Sequence, residues 1–102
     1  MMADTITMGS IDMTVQVTDV KVKPIGSNMT EVSYLTDGLI YSFLYSYQTP
    51  VAGWDHRGAF RTAQKYSATT TKQINKYLGG KEIGREVTQT YVDFALRTLQ
   101  NS

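Results

Sequence analysis

The sequence predicts a small α+β domain, in which an antiparallel sheet of four to six strands precedes one or two C-terminal helices. Apolar and polar residues alternate over much of the first two thirds of the chain, which is the period of half-buried strands. Turn residues separate these runs, and after about residue 67 the apolar period becomes helical. The alternative that such short strands allow is a partly closed SH3-like or Sm-like barrel.

The length of 102 residues fits a single domain, 1–102, whose first ten residues we expect to be less ordered. The chain contains no cysteine, which excludes disulfides, thiolate metal ligands and a cysteine nucleophile. It shows neither a signal-peptide pattern nor an apolar run long enough to cross a bilayer, so we expect a cytoplasmic protein without a membrane partner.

The first predicted strand covers residues 11–17, where apolar residues occupy the odd positions. The phase then slips, because Val20 and Val22 occupy even positions. One extra residue near Thr18 and Asp19 explains the slip, either as a β-bulge or as a bend between two short strands. Residues 24–28 contain Pro and Gly and predict the next turn.

Residues 30–35 and 39–47 are rich in strand formers, and Asp37-Gly38 between them predicts a tight hairpin. Both faces of the second strand are partly apolar, which indicates a central strand that is covered on both sides. One face carries a row of aromatic residues that predicts a core or a subunit interface, as does Trp54. The alternative is a stacking platform for single-stranded nucleic acid. The row consists of Tyr41, Phe43, Tyr45 and Tyr47.

Residues 51–54 and 59–66 predict another strand pair, joined by the turn at 55–58. On the second of these strands, the alternation places Arg61 and Lys65 on the side that faces water.

A short helix is predicted next, because Ile74, Tyr77 and Leu78 share one helical face. Thr70 with Gln73 has the spacing of a capping box, and Gly79-Gly80 predicts the end of the helix.

A last helix is predicted after residue 86, with Thr88 or Thr90 as its N-cap. Its apolar face is expected to pack on the sheet and consists of Val87, Tyr91, Phe94, Ala95 and Thr98, with Leu96 and Leu99 alongside.

The net charge of +1 hides an uneven distribution. Residues 1–54 hold two bases and five acids, whereas residues 55–85 hold seven bases and two acids. The basic segment predicts a site for an anion or a nucleic acid. Its alternatives are an ordinary solvated face, or pairing with the acidic half of the same chain or of a second subunit. The candidate residues are Arg61, Lys65, Thr70, Lys72 and Lys76.

No spacing in the sequence predicts catalysis. His56 is the only histidine and lies in a turn without a second base or metal ligand close to it in sequence. The carboxylates are also dispersed. We therefore predict a protein that is not an enzyme and that uses neither a metal nor a cofactor.

Two segments resemble a family of small uncharacterised proteins of tailed phages. Residues 46–52 read SYQTPVA, and residues 65–78 read KYSATTTKQINKYL, which matches the family's KxSxTTxKxINKYL-type motif. Gln73 stands where a His is common in that family. The resemblance covers about residues 45–80 and implies a phage origin and a host-cytoplasmic location, but no chemistry.

Together these observations predict a non-enzymatic binding or assembly module that forms a homo-oligomer. The alternative is a nucleic-acid-binding accessory protein that uses a basic surface of strand and helix. Its partner would be a nucleic acid or another phage protein.

Overall fold

A computed structural model of the chain describes residues 4–8 and 11–101. The predicted looser order of residues 1–10 falls partly outside this range and partly on the first strand. The elements are β1 (Asp4–Met8), β2 (Ile11–Val15), β3 (Val17–Gly26), β4 (Met29–Thr36), β5 (Leu39–Ser46), β6 (Thr49–Asp55), β7 (Gly58–Thr62), α1 (Ala68–Leu78), β8 (Arg85–Val87) and α2 (Gln89–Gln100).

Strands β3 to β8 form one sheet in chain order, and β1 and β2 form a separate antiparallel hairpin. All pairs in the main sheet are antiparallel except β7 and β8, which are parallel and are connected through α1. A parallel pair needs such a crossover, because the chain must return to the same end of the sheet. The α+β prediction is confirmed, whereas the barrel alternative is wrong because β3 and β8 remain open edges.

The two helices pack on opposite faces of the main sheet, which we call the α1 face and the α2 face. Successive residues of β5 contribute to both, because side chains alternate along a strand. Phe43 is 1% exposed on the α2 face, and Leu44 is 0% exposed on the α1 face. The prediction of a central strand covered on both sides is therefore confirmed.

Aromatic rings dominate the core of the α2 face. The ring of Phe43 makes edge-to-face contacts with Tyr34 at 5.9 Å and with Phe60 at 5.7 Å between centroids. Phe60 reaches Phe43 across Gly53 of the intervening strand β6. A Cβ on Gly53 would lie 2.8 Å from the Phe60 ring and 2.1 Å from the carbonyl oxygen of Ser42, so only glycine fits there.

The predicted apolar face of the last helix is partly wrong. Val87 belongs to β8, and Phe94 is exposed. Thr88 is the N-cap of α2, and its Oγ1 accepts the N–H of Tyr91 at 3.0 Å. The helix therefore begins at Gln89. The rest of the predicted face is confirmed, because Tyr91 packs against the core of the sheet and the remaining four residues are buried: Ala95, Leu96, Thr98 and Leu99. Val92, which the prediction did not include, is also buried.

Two predicted boundaries also shift. The strand predicted at 59–66 ends at Thr62, which leaves Lys65 in a loop. Ser67 rather than Thr70 is the N-cap of α1, because its Oγ accepts the N–H of Thr70 at 3.1 Å. The predicted end of α1 is confirmed, since Gly79 has φ = 94°, which favours glycine.

Two local predictions in the first half are confirmed. Asp37-Gly38 forms the hairpin turn between β4 and β5, with Thr36 and Leu39 as the closing pair. A register shift lies between Val17 and Asp19 where β3 pairs with β4, at the predicted position of the bulge.

Candidate anion-binding site

A groove lies between α1 and the turn that joins β3 to β4. It has a volume of about 280 Å³. Lys72 and Lys76 both line it, because residues four apart lie on the same side of a helix. The other lining residues are Gly26, Ser27, Met29, Thr69 and Gln73.

Gln73 holds the two walls of this groove together. Its Nε2 donates to the carbonyl oxygen of Ser27 in the turn at 3.2 Å. Its Oε1 accepts the hydroxyl of Ser46 on β5 at 2.5 Å, and both residues are buried. A buried amide with satisfied donor and acceptor groups fixes its neighbours in place. Gln73 therefore links α1 to the β3–β4 turn beside the groove.

Thr70, a predicted anion ligand, is buried beside Gln73. Its hydroxyl contacts the hydroxyls of Ser46 at 3.0 Å and Ser67 at 3.2 Å. The neighbouring Thr69 lines the groove instead. Because α1 begins at Ala68, Thr70 lies in its first turn.

Arg61 is a structural residue, and the prediction that it faces water is wrong. Its guanidinium donates to Ile83 O at 2.9 Å, Asn75 Oδ1 at 2.9 Å and Gly80 O at 2.8 Å. The crossover through α1 brings these acceptors over β7. Arg61 thus fastens the loop after α1 to the sheet, whereas Lys65 is exposed and lies outside the groove.

Two lysines that the sequence analysis assigned to the acidic half lie on the α1 face. Lys23 is opposite Glu31, and Glu31 is opposite Leu44, which packs beneath α1. Residues directly opposite on paired strands point to the same side of a sheet. Lys23 and the similarly placed Lys21 therefore project from the α1 face, and both are exposed.

Glu31 is an acid among these lysines, and Tyr77 of α1 binds it. The Tyr77 hydroxyl donates to Glu31 Oε2 at 2.6 Å. Burial, and then this hydrogen bond, raise the pKa of Tyr77 above its ordinary value. The tyrosine therefore stays neutral and anchors α1 to β4. The acid next along the face, Asp19, accepts the backbone N–H of Val20 at 2.9 Å.

On the α2 face, one carboxylate is buried and paired within the protein. The side chain of Asp55 is 3% exposed and forms an ion pair with Arg85 at 3.0 Å. It also accepts the Tyr91 hydroxyl at 3.0 Å and the Arg57 backbone N–H at 2.8 Å. Burial by itself would lower the pKa of Arg85, but the hydrogen bond and charge of Asp55 outweigh burial and raise it. The Asp55 carboxylate therefore has a structural role, since its partners all lie within the protein.

His56 and the remaining carboxylates do not assemble into a metal site. Among the side chains that the structure describes, those of residues 16–101, no three His, Asp or Glu come together in a group that could hold an ion. His56 is half-buried in the β6–β7 turn, and its Nδ1 has no hydrogen-bond partner among the described residues.

The predicted aromatic row divides between three environments. Tyr41 and Phe43 are in the core, and Tyr45 is half-buried. Tyr47 is outside β5, at φ = 58° in the next turn, and is 58% exposed. Trp54 is 41% exposed and lies opposite Ser42, which places it on the α1 face. A core role is thus wrong for Tyr47, and Trp54 is only partly covered.

Residues 20–93 match a family of unknown function, DUF8033. The chain belongs to this family. The matched segment of DUF8033 runs from β3 into α2 and includes the groove and the four lysines of the α1 face. No curated protein and no solved structure matches the chain.

Within the DUF8033 segment, charge favours the α1 face as the place where an anion would bind. Lys21, Lys23, Lys72 and Lys76 are all exposed there. A larger depression of about 570 Å³ lies beside Tyr47, but its lining residues are uncharged. In the described part of the chain, neither helix is long and apolar enough to cross a membrane.

Proposed function

We propose that the protein is a non-enzymatic binding module that holds a phosphate-rich polyanion on its α1 face. The observation that carries the proposal is the placement of four lysines. Lys72 and Lys76 line one groove, and Lys21 and Lys23 project from the same face. These pairs are far apart in the sequence, and they share one side of the sheet because of the register of β3 and the packing of α1.

The lysines are spread along the face rather than directed at one point, which suits an extended chain of phosphates better than a single anion. An ammonium group acts as a point charge without the fixed geometry of a guanidinium. Such a surface releases counterions when it binds a polyanion, so its affinity falls as salt rises. Four contacts to a single-stranded nucleic acid would give a slope of log K against log salt of about −3.

Fluorescence anisotropy with labelled single- and double-stranded DNA and RNA tests this proposal. For Lys72→Glu combined with Lys76→Glu, we expect affinity at low salt to fall at least about tenfold. The salt slope should become shallower by about 1.4, because two contacts are lost.

The matched control is Lys81→Glu combined with Arg97→Glu. It changes the net charge equally at two exposed residues that do not line the groove. If the control weakens binding as much as the groove variant, the effect is one of net charge and the groove is not the site. If the wild-type protein binds none of these nucleic acids at low salt, the proposal is wrong.

A second candidate function is self-assembly, the role of an oligomeric assembly module of a phage. Exposed apolar side chains on β3, Val20 and Val22, favour it. Strand addition at this edge is unfavourable, because Pro24 has no N–H and Asp19 binds the N–H of Val20. Self-association would therefore use side chains. Light scattering that shows a monomer at high concentration would exclude this role.

A further inference from the structure

Part of the α1 face extends beyond the cover of α1, and we call it the open platform. Lys21 on β3, Ser33 on β4, Ser42 on β5 and Trp54 on β6 lie opposite one another in register and form a row across four strands. The adjacent row on the same side of the sheet contains Leu35 opposite Ile40.

The open platform differs sharply from the part of the same face under α1. There, Leu44 and Ala52 are fully buried, whereas Ile40 is 57% exposed and Trp54 is 41% exposed. Ser33 and Ser42 between them are only partly buried, and their hydroxyls bond to each other at 3.2 Å. The result is an accessible surface with an indole at one side and a lysine at the other.

We propose that the open platform binds a single-stranded nucleic acid, with a base stacked on Trp54 and the backbone phosphates directed to the lysines. This inference rests on the proposed function and narrows its polyanion to one with accessible bases. Aromatic side chains on a sheet surface stack on unpaired bases, and basic side chains beside them hold the backbone.

The distances suit a short stretch of nucleotides. Three strand spacings separate Lys21 from Trp54, which is about 14 Å. Four residues of β4 separate the row at Ser33 from the groove at Met29, which is about 13 Å. A strand of a few nucleotides could therefore contact the groove lysines, the β3 lysines and the indole together. A duplex cannot do so in the same way, because its base faces are already stacked.

Charge makes a second copy of this chain a poorer occupant. A two-fold interface would bring the same surface of both copies together. It would bring together two faces that both carry exposed lysines, which is unfavourable. It would also bury the polar Ser33–Ser42 pair at its centre, where stable interfaces are mostly apolar. A polyanion has the opposite charge and tolerates polar groups beside its bases.

Trp54 is the only tryptophan, so intrinsic fluorescence reports directly on the open platform in the unmodified protein. We expect single-stranded oligo-dT and oligo-U to quench this fluorescence saturably. An abasic strand of the same length carries the same phosphates, and it should bind through the lysines with little quenching.

Substitutions provide the second measurement. Trp54→Ala should weaken binding of oligo-dT about 5- to 150-fold, the effect of losing one stacked base, and should leave abasic binding unchanged. Trp54→Phe should retain most of the affinity. Tyr66→Ala is the matched control, because Tyr66 is 45% exposed but belongs to the loop before α1. It should have no effect.

Several results would overturn the inference. Equal affinity for base-containing and abasic strands, with unchanged tryptophan fluorescence, would exclude stacking but leave the proposed function intact. A preference for duplex DNA would exclude base stacking on the open platform and would also leave the proposed function intact. Self-association that Trp54→Ala abolishes, without an effect on oligonucleotides, would identify a second copy as the occupant. If no nucleic acid binds at low salt, the proposed function fails and the inference fails with it.

Discussion

The two faces of the main sheet differ in how completely they are covered and in where their charged side chains lie. The α2 face has a core of aromatic rings in edge-to-face contact and an ion pair between the buried Asp55 and the partly exposed Arg85. At the edge strand β3, this face exposes the apolar side chains of Val20 and Val22. The α1 face is covered over only part of its area, and its lysines point outward. A charge that is satisfied inside the protein stabilises the fold, whereas a charge in solvent remains available to a partner. Under the proposed function, this difference separates the face that stabilises the fold from the face that binds a partner.

The helices explain this difference. α2 is the last element and covers the aromatic core of its face, with β1 beside it. α1 is a crossover whose path must connect β7 to β8. Hydrogen bonds hold it in place, between Ser46 and both Thr70 and Gln73, between Gln73 and Ser27, between Tyr77 and Glu31, and between Arg61 and Asn75. Because these contacts hold it over one part of the sheet, the row from Lys21 to Trp54 stays open.

The largest predicted effect compares two aromatic residues on opposite faces. Phe43→Ala should lower the free energy of unfolding by about 3–5 kcal/mol, because it leaves a cavity among packed rings. Trp54→Ala should lower it by about 1 kcal/mol or less, since the indole is partly solvated. Urea denaturation measures both. Equal losses would mean that the α1 face is not open at Trp54.

The next prediction concerns the internal charge of the α2 face. Asp55→Asn keeps the size of the side chain but removes the charge that Arg85 and Tyr91 share. We expect a loss of about 2–3 kcal/mol, as for hydrogen bonds to charged groups. Asp37→Asn in the exposed β4–β5 turn is the control and should change stability by less than about 0.5 kcal/mol. A neutral effect of Asp55→Asn would contradict the structural role of this ion pair.

The smallest prediction tests the attachment of α1 through pH. The folded state raises the pKa of Tyr77, so below about pH 10 the tyrosine is neutral in both states and its contribution is complete. As pH rises further, the unfolded chain loses this proton before the folded chain does, and stability falls. Tyr77→Phe should cost about 1–2 kcal/mol at neutral pH and make the alkaline decline shallower.

The control for this measurement is Tyr47→Phe, a change at an exposed residue of the β5–β6 turn that should have little effect at neutral pH. An alkaline decline that is equally steep in the wild type and in Tyr77→Phe would show that Tyr77 does not hold α1 in the proposed way.

Local features of the fold were predictable because their signals lie within a few residues. The turn at Asp37-Gly38, the phase slip before Val20 and the stop at Gly79 each depend on the backbone preferences of adjacent residues. Strand β8 was not predictable, since three residues are too few to show a period. The start of α1 was misplaced because Ser67 and Thr70 both have cap chemistry, and packing decides between them.

The candidate site was only half predictable. Lys72 and Lys76 are four apart on a helix, so their common side follows from helical geometry alone. Arg61 has the same charge, but its neighbours from the loop after α1 turn it into a structural residue. Whether a basic side chain is exposed to solvent or hydrogen-bonded within the protein depends on acceptors that are distant in sequence. A count of charges along the sequence does not detect these acceptors.

By itself, the sequence determined the α+β class, the central two-sided strand and the concentration of bases after residue 55. These follow from periodicity, turn chemistry and composition, which are local properties of a chain. The tertiary structure alone decided that Lys21 and Lys23 join Lys72 and Lys76 on one face, and that Trp54 remains exposed beside them. Strand register and the path of the crossover helix set both outcomes, because each depends on contacts between residues far apart in the chain.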